Sequence, residues 1–596
     1  MEVYKPDYKS HEGFETWLNT FKLKFKMHTR LVFFLALVLL ILFGANVIYG
    51  FSHDTDVAIR WTVAKSLYKF WPGFKLSFIN ADGSKIFTNA GALATSPRVK
   101  QTAKKELTRL GWNFIKLFVA VSLLYPIIVL LFKRRSIEQS DKRYIRGARI
   151  DTGWDFKRMA KRRKEETDLP FGSINMPAAA EPKHCFIVGR PGTGKTVCMS
   201  AILNRLKERN ERAIIYDTKG DYLSKFYEPD RDLIFNPLDS RCLGWNIFNE
   251  VETIMDVDAI AASLIPPSIG RSDPFWTDAA RAVLSGVLNN LYRENTRTNR
   301  DIWEMITSEG KHISSELKFT RGGEAGHRFI ENPESNQALG VFAVLMQHTK
   351  CFEYMAGCDG DFCVKDWLER GEGMIFITNY ADVKDTLKPI LSLFIDLMGR
   401  KLLSLPDSHD RRVFFMVDEF GTLQRLSTIL DLLTLSRSKG GSVFIGIQDY
   451  GKIDKLYSRE IRQSIVNACG SGVTFAVSDE SAKIASNNIG ETEFMDSERS
   501  FTMGVKNWKD GTNLAQRKRK ESLFLSSDIS NLPDLTGIVK FPNYNYVVTK
   551  WGYKSYPAVN PAMAIRDDLL IDNIKNEEEE IRRQLEEQDL DIVFEE

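Results

Sequence analysis

The chain has 596 residues, 43% hydrophobic and 27% charged, and its 81 basic and 78 acidic residues leave a net charge of +3. These proportions exclude a mostly disordered chain, a collagen-like one and a polytopic membrane protein, and the near-neutral balance excludes a wholly basic nucleic-acid coat. At ~100–200 residues per domain the length predicts a few domains.

The first feature is an uncharged apolar run, Leu31–Gly50. Twenty helical residues span ~30 Å, the thickness of a bilayer core. A second run, Trp112–Phe132, carries only Lys116 near its start and Pro126 inside it. The expectation is a transmembrane helical hairpin. A signal peptide fits less well, because thirty residues precede the first run and no clean small-residue cleavage site follows it. Lys22, Lys24, Lys26 and Arg30 before the first span, and Lys133, Arg134 and Arg135 after the second, place both ends in the cytoplasm and residues 51–111 outside. Lys104, Lys105 and Arg109 lie on the wrong side for that rule.

Residues 136–183 read as a basic juxtamembrane linker, broken by Pro170, Pro177 and Pro182 into an extended approach. Its basic runs suit anionic headgroups or a solvated face. From His184 onward short apolar strands alternate with helical stretches, at 184–189, 213–217, 373–379, 413–417, 442–447 and 473–477. Continuous apolar strands between helices predict a mostly parallel α/β sheet covered on both faces. The expected domains are a membrane anchor over 1–135, a nucleotide-binding domain over 184–250 and 371–560, an inserted all-α domain over 251–370 and an acidic tail over 561–596. All seven cysteines lie at or beyond Cys185, as suits a reduced compartment. The spacing of His348, Cys351, Cys358 and Cys363 matches no standard zinc pattern.

Gly189-Arg190-Pro191-Gly192-Thr193-Gly194-Lys195-Thr196 fits G-x-x-x-x-G-K-[ST], after an apolar strand and at the start of a helix. Glycines let backbone N–H groups turn toward phosphates, and the helix N-terminus adds a favourable field. Lys195 would reach the β- and γ-phosphates of ATP, and Thr196 would ligate Mg2+. The strand VFFMV ends at Asp418 and Glu419. In doubly wound sheets that edge lies beside the phosphate loop. Asp418 is expected to hold the metal and Glu419 to polarise the attacking water. Gln448 ends the next strand and suits γ-phosphate sensing. Arg437 precedes that strand, as an arginine finger completing a neighbour's site or as a surface ion pair.

These residues, in this order, resemble the type IV secretion coupling proteins, the TraD/TraG/TrwB group, and most of all its TraD branch. The resemblance also rests on IIYDTKGDY (214–222), FNPLDSRCLGWNIF (235–248), DPFWTDAAR (273–281), VDEFGTL (417–423), IGIQD (445–449) and LPDLTGIVKFPNY (532–544). It implies a RecA-like P-loop ATPase with an inserted all-α domain, anchored in a bacterial inner membrane and assembled as a homo-hexamer around a channel. It further implies that a relaxase bound to single-stranded DNA is passed to a type IV secretion channel. Arg437, eleven residues before Gln448, then fits the arginine acting in trans. Two other readings share parts of the pattern: a coupling ATPase that recruits protein effectors without DNA, and an FtsK-like double-stranded DNA translocase.

No sequence-reading motif is present, so DNA binding would be sequence-tolerant. The best candidate is the basic segment 499–520, with Arg499, Lys506, Trp508, Lys509, Arg517, Lys518, Arg519 and Lys520, on a loop or hairpin, or else a solvated charge run. Residues 567–596 carry 13 acidic and 3 basic side chains and suit either a docking tail or a solubilising one.

Overall fold

A computed structural model describes residues 10–79, 83–140, 143–267, 273–502, 511–573 and 575. Two compact units emerge, Met1–Arg143 with Met495–Lys518, and Tyr144–Phe494 with Arg519–Glu596.

In the first unit two long helices, Ser10–Tyr49 and Pro97–Ser140, contain the two apolar runs. Their segments Phe25–Tyr49 and Pro97–Phe132 are long and apolar enough to cross a membrane. Both helices extend well past the apolar residues. They pack together through Phe43 edge-on to Phe114 at 5.2 Å, Tyr125 Oη against His28 Nδ1 at 2.8 Å, and Asn113 Nδ2 donating to Asn46 Oδ1 at 3.3 Å. Between them residues 51–96 fold as a helix, His53–Tyr68, an antiparallel pair, Lys75–Ile79 with Lys85–Asn89, and a short helix. Ser52 starts the first of these with a reciprocal capping box to Thr55. Thr55 Oγ1 donates to the buried Glu106 at 2.9 Å, and Glu106 also pairs with Arg109. Of the three cations that conflicted with the flanking-charge rule, Arg109 therefore has a neutralising carboxylate.

The second unit is built on a ten-stranded sheet. Its seven central and far strands run parallel in the order Ser471–Thr474, Cys185–Val188, Gly441–Ile447, Val413–Val417, Arg212–Asp217, Met374–Thr378 and Leu233–Phe235. Successive side chains on a strand point to opposite faces. Accordingly Val413, Phe415 and Val417 join one hydrophobic cluster, and Phe414 and Met416 the other. This is why these strands are apolar throughout rather than alternating.

The sequence-predicted strands are all present, with the last displaced: it spans Ser471–Thr474, and Phe475–Val477 continue as irregular chain. Four strands of this sheet had no clear sequence signal: Leu233–Phe235, Thr536–Lys540, Tyr546–Lys550 and Ile150–Asp151. They are short or lie toward the sheet's edges, where polar residues interrupt the pattern.

The expected linker is not an extended approach: its first residues continue the helix Pro97–Ser140, and from Tyr144 onward it is folded into this unit. Ile150–Asp151 pairs with Tyr546–Lys550, a helix runs Gly153–Arg163 behind a Thr152 cap, and Phe156, Leu169, Phe171 and Met176 are buried. These and a few other apolar anchors, Ile174 among them, decide its packing among many charges, although the basic runs dominate its appearance. Residues 561–566, which fall in the expected tail, are likewise tied down. Ser240 N donates to Ala564 O at 2.7 Å, and the Arg566 guanidinium donates to the carbonyls of Pro237 and Tyr354, each at 2.8 Å.

The described residues between 254 and 370 are mainly helical, from Ile254–Leu264 to Val364–Arg370. Thr253 and Thr298 start two of these helices with capping boxes, and Asp273 caps a third whose first residue is Pro274. This insertion has no core of its own. Val283, Leu284, Leu288 and Phe352 belong to the same cluster as Val413 and Ile445 of the sheet and Phe394 of the helix Lys384–Ser404. Trp245, fully buried, packs edge-on to Phe235 and Phe394, and its Nε1 donates to Glu250 at 3.2 Å.

Candidate nucleotide-binding site

The site forms at the C-terminal edge of the parallel strands, where Cys185–Val188 runs into the phosphate loop. Backbone bonds fix that loop from three sides. Gly189 N donates to Ile447 O at 3.1 Å, Arg190 N to Ala476 O at 2.9 Å, and Leu535 N to Thr193 O at 2.8 Å. Gly192 and Gly194 have φ of +83° and +122°, a region that side chains disfavour. A β-carbon on Gly189 would lie 2.8 Å from Phe475 Cβ, so the loop can follow this path only with glycine there. The helix Lys195–Glu208 begins at the end of the loop, with Thr196 exposed in its first turn.

Lys195 is buried. Its ammonium donates to the Asp418 carbonyl at 2.5 Å and Oδ1 at 3.0 Å, and lies 3.5 Å from Glu419 Oε2. Asp418 and Glu419 come from the adjacent-but-one strand. The strand between them passes very close, because a β-carbon on Gly446 would lie 2.3 Å from the Asp418 carbonyl oxygen. Glu419 is buried, and its Oε1 has no hydrogen-bond partner, although Lys452 Nζ stands 3.5 Å away. Gln448 follows Gly441–Ile447 at the same edge, half-buried.

Two further residues belong to the site and had entered the sequence argument only within a resemblance. Asp217 ends the strand Arg212–Asp217 and accepts four backbone N–H groups, from Lys219 at 3.3 Å, Asp221 at 3.1 Å, Tyr222 at 2.7 Å and Leu223 at 3.0 Å. Burial pushes its carboxyl up to about 6, aided by the negative charge of Asp418, while the N–H donors pull the other way. This turn orients the buried Tyr222, whose hydroxyl donates to Asp418 Oδ1 at 3.1 Å and also meets Thr196. Burial and the nearby carboxylates hold that phenol well above its ordinary range. An acidic residue closing an apolar strand, followed by Lys-Gly, was the available signal.

The structure thus brings together the phosphate loop with Lys195 and Thr196, the carboxylates Asp418 and Glu419, and Gln448. Arg437 is elsewhere. It is exposed, on the one-turn helix Ser436–Lys439 before the strand that ends at Gln448. Seven strand residues separate the two ends, about 23 Å at ~3.3 Å per residue. Of the basic segment 499–520, residues 503–510, with Lys506, Trp508 and Lys509, lie outside the described residues, as does the Arg499 side chain. Arg517–Lys520 are exposed on the strand Gly511–Ser522. The acidic tail lies outside the described residues beyond 575.

The donor set fits a magnesium nucleotide. Turned glycines and a helix start suit phosphates, a buried ammonium sits between two carboxylates, and one of these keeps an oxygen without a hydrogen bond. Residues 168–549 match the family model described as the type IV secretion-system coupling protein DNA-binding domain. The chain belongs to this family. It is 27% identical over 472 residues to the coupling protein TraD of Escherichia coli (strain K12), a match covering 76% of the chain and 65% of TraD. The chain thus spans less than two thirds of that relative. The unbound monoclinic form of the bacterial conjugative coupling protein TrwBdeltaN70 superposes with a TM-score of 0.63 at 28% identity, over 71% of this chain and 97% of that one. TrwB bound to the non-hydrolysable ATP analogue ADPNP gives 0.63 at 28% identity, and TrwB with ADP and Mg2+ gives 0.62 at 28%, each over 71% of this chain and 98% of that one. The fold is therefore that of a RecA-like P-loop ATPase with an inserted all-α domain, preceded by two apolar helices.

Proposed function

We propose that the chain is the ATPase motor of a conjugative type IV secretion system, anchored in a bacterial inner membrane. In this reading it receives a relaxase–DNA complex and drives the single strand toward the secretion channel as a homo-hexamer. The observation that carries it is Lys195 held between Asp418 and Glu419 beside a phosphate loop, in a chain that matches nucleotide-bound TrwB over nearly all of that protein. The anchor comprises residues 1–135, with spans near 31–50 and 112–132 and a periplasmic segment 51–111. The nucleotide-binding domain starts near Ile150, is interrupted by the all-α insertion 251–370, and extends to about Leu569. The acidic tail follows.

The chemistry follows from the side chains. ATP phosphates take the N–H groups of Gly192–Thr196, since those of Gly189 and Arg190 are already bonded and Pro191 has none, and Lys195 leaves Asp418 for them. Freed of the ammonium, Asp418 joins Thr196 in holding Mg2+, so nucleotide and metal promote each other's binding. The metal neutralises charge on the β- and γ-phosphates when bound. Glu419 orients a water through its unengaged Oε1 and takes its proton as the water oxygen bonds to the γ-phosphorus, while the bond to the ADP oxygen breaks. Gln448 contacts the γ-phosphate. Arg437 is too far to serve its own site and acts on that of a neighbouring copy.

ATP turnover by the full chain in detergent, with and without single-stranded DNA, tests the reading. DNA-stimulated turnover, absent in Lys195→Ala, is the expected result. Turnover indifferent to DNA but raised by relaxase protein alone would assign the chain to protein recruitment, and no turnover would overturn the motor.

A further inference from the structure

A groove of about 940 Å3 opens between the all-α insertion and the segments that leave the nucleotide site. Its charged lining is Lys350, Lys388, Arg425 and Lys455 against the single carboxylate Asp385. His348 also lines it, but burial lowers its tendency to charge, against hydrogen bonds with the Leu264 carbonyl and Gln424. Lys350 pairs with Glu353 at 2.8 Å. Among the described residues Lys388, Arg425 and Lys455 have no carboxylate within ion-pair distance. Three uncompensated cations from three separate elements therefore face one groove.

Their attachment is as informative as their charge. Arg425 lies six residues after Glu419, and Lys455 seven after Gln448. The backbone around Arg425 is pinned on both sides. Gln424 N donates to Ser392 Oγ at 2.9 Å and its Nε2 to Leu264 O at 3.3 Å, while Leu426 N donates to Tyr457 Oη at 2.8 Å. Tyr457 ends the helix Tyr450–Tyr457 that carries Lys455. Arg425 and Lys455 thus sit close behind the strand ends that carry Glu419 and Gln448 and are joined to each other through Leu426 and Tyr457, while the Gln424–Ser392 bond sets them against the helix Lys384–Ser404 that carries Lys388.

We propose that this groove grips the phosphate backbone of single-stranded DNA through Lys388, Arg425 and Lys455, and that nucleotide turnover changes the grip. The proposal rests on the motor reading above. Among the described residues no Phe, Tyr or Trp lines the groove, so contact is with phosphates and indifferent to base. An acidic polypeptide would meet the same charge, but DNA is favoured by the direct attachment of two of the cations to the hydrolytic segments.

The test is the salt dependence of oligo(dT) binding to the full chain in detergent, read by fluorescence anisotropy. Each phosphate neutralised on a single strand contributes about 0.7 to the slope of log K against log salt. Lys388→Gln, Arg425→Gln and Lys455→Gln together should flatten the slope by about 2 and weaken binding about tenfold or more near physiological salt. The triple exchange Lys388→Arg, Arg425→Lys and Lys455→Arg should keep the wild-type slope. An unchanged slope in the glutamine triple would overturn the groove and leave the motor intact. Failure of the wild-type chain to bind DNA would overturn both. If a peptide of residues 576–596 binds the wild type and loses binding in the glutamine triple while the DNA slope stays full, the groove belongs to an acidic segment instead.

Discussion

Replacing Tyr222 by Phe removes one oxygen from a buried ring and tests how the metal carboxylate is held. Asp418 Oδ1 has two side-chain donors, Lys195 Nζ at 3.0 Å and Tyr222 Oη at 3.1 Å. Without nucleotide, Lys195 compensates for the lost hydroxyl. Once Lys195 moves to the phosphates, Tyr222 is the donor that keeps Asp418 oriented toward the metal. A hydrogen bond to a charged group is worth about 1.5–3 kcal/mol. Its loss in the loaded state alone corresponds to about a 10- to 150-fold drop in turnover at subsaturating Mg2+, since each 1.36 kcal/mol is tenfold. The ring still fills its space, so thermal stability without nucleotide should fall by no more than about 1 kcal/mol. Steady-state hydrolysis across a magnesium titration reads the effect, which excess metal should partly restore. Turnover within twofold of wild type at low magnesium would show that Lys195 never leaves Asp418, or that Asp418 does not meet the metal.

Lys195→Ala and Glu419→Gln should both abolish hydrolysis, but only the first should weaken nucleotide binding, as read by equilibrium titration with a fluorescent ATP analogue. Lys195→Ala should also lower stability, by about 3 kcal/mol, because the buried Glu419 and the half-buried Asp418 lose their shared cation. Arg437→Ala should be inactive alone yet recover part of its turnover when mixed with Lys195→Ala subunits, and no recovery at any ratio would refute a role in trans. Asp217 has its carboxyl raised from 3.8 to about 6, so the folded state holds its proton more tightly than the unfolded state. That contribution is complete below about pH 4 and is lost as pH rises through 6, a change of about 3 kcal/mol. Unfolding of wild type compared with Asp217→Asn across this window should show wild type losing about 3 kcal/mol relative to the variant as pH rises, and parallel curves would refute it.

Motif spacing made the phosphate loop, Asp418, Glu419 and Gln448 legible, because each ends a continuous apolar strand and that pattern is set by burial on both sheet faces. What stayed hidden depends on long-range contact. Nothing local shows that Tyr222 reaches Asp418 across 196 residues, or that Arg425 and Lys455 share a groove with Lys388. The strand Leu233–Phe235 is three residues long, too short for any periodicity to register. The segment 136–183 misled for the opposite reason. Its charges are conspicuous, while Phe156, Leu169 and Phe171, which fix it to the core, are few.

The insertion's lack of a separate core bears on how the molecule comes apart. Leu284, Phe352, Phe394 and Val413 share one cluster and should melt together, so the helical region is expected to have no stable existence once the sheet opens. Protease nicking between them would not release a folded fragment, and amide exchange in both should slow together when nucleotide binds. A ligand at the phosphate loop then hardens residues far along the chain without touching them, and grip on a polymer elsewhere in this unit acquires a mechanical backing that a loosely tethered helical cap would lack.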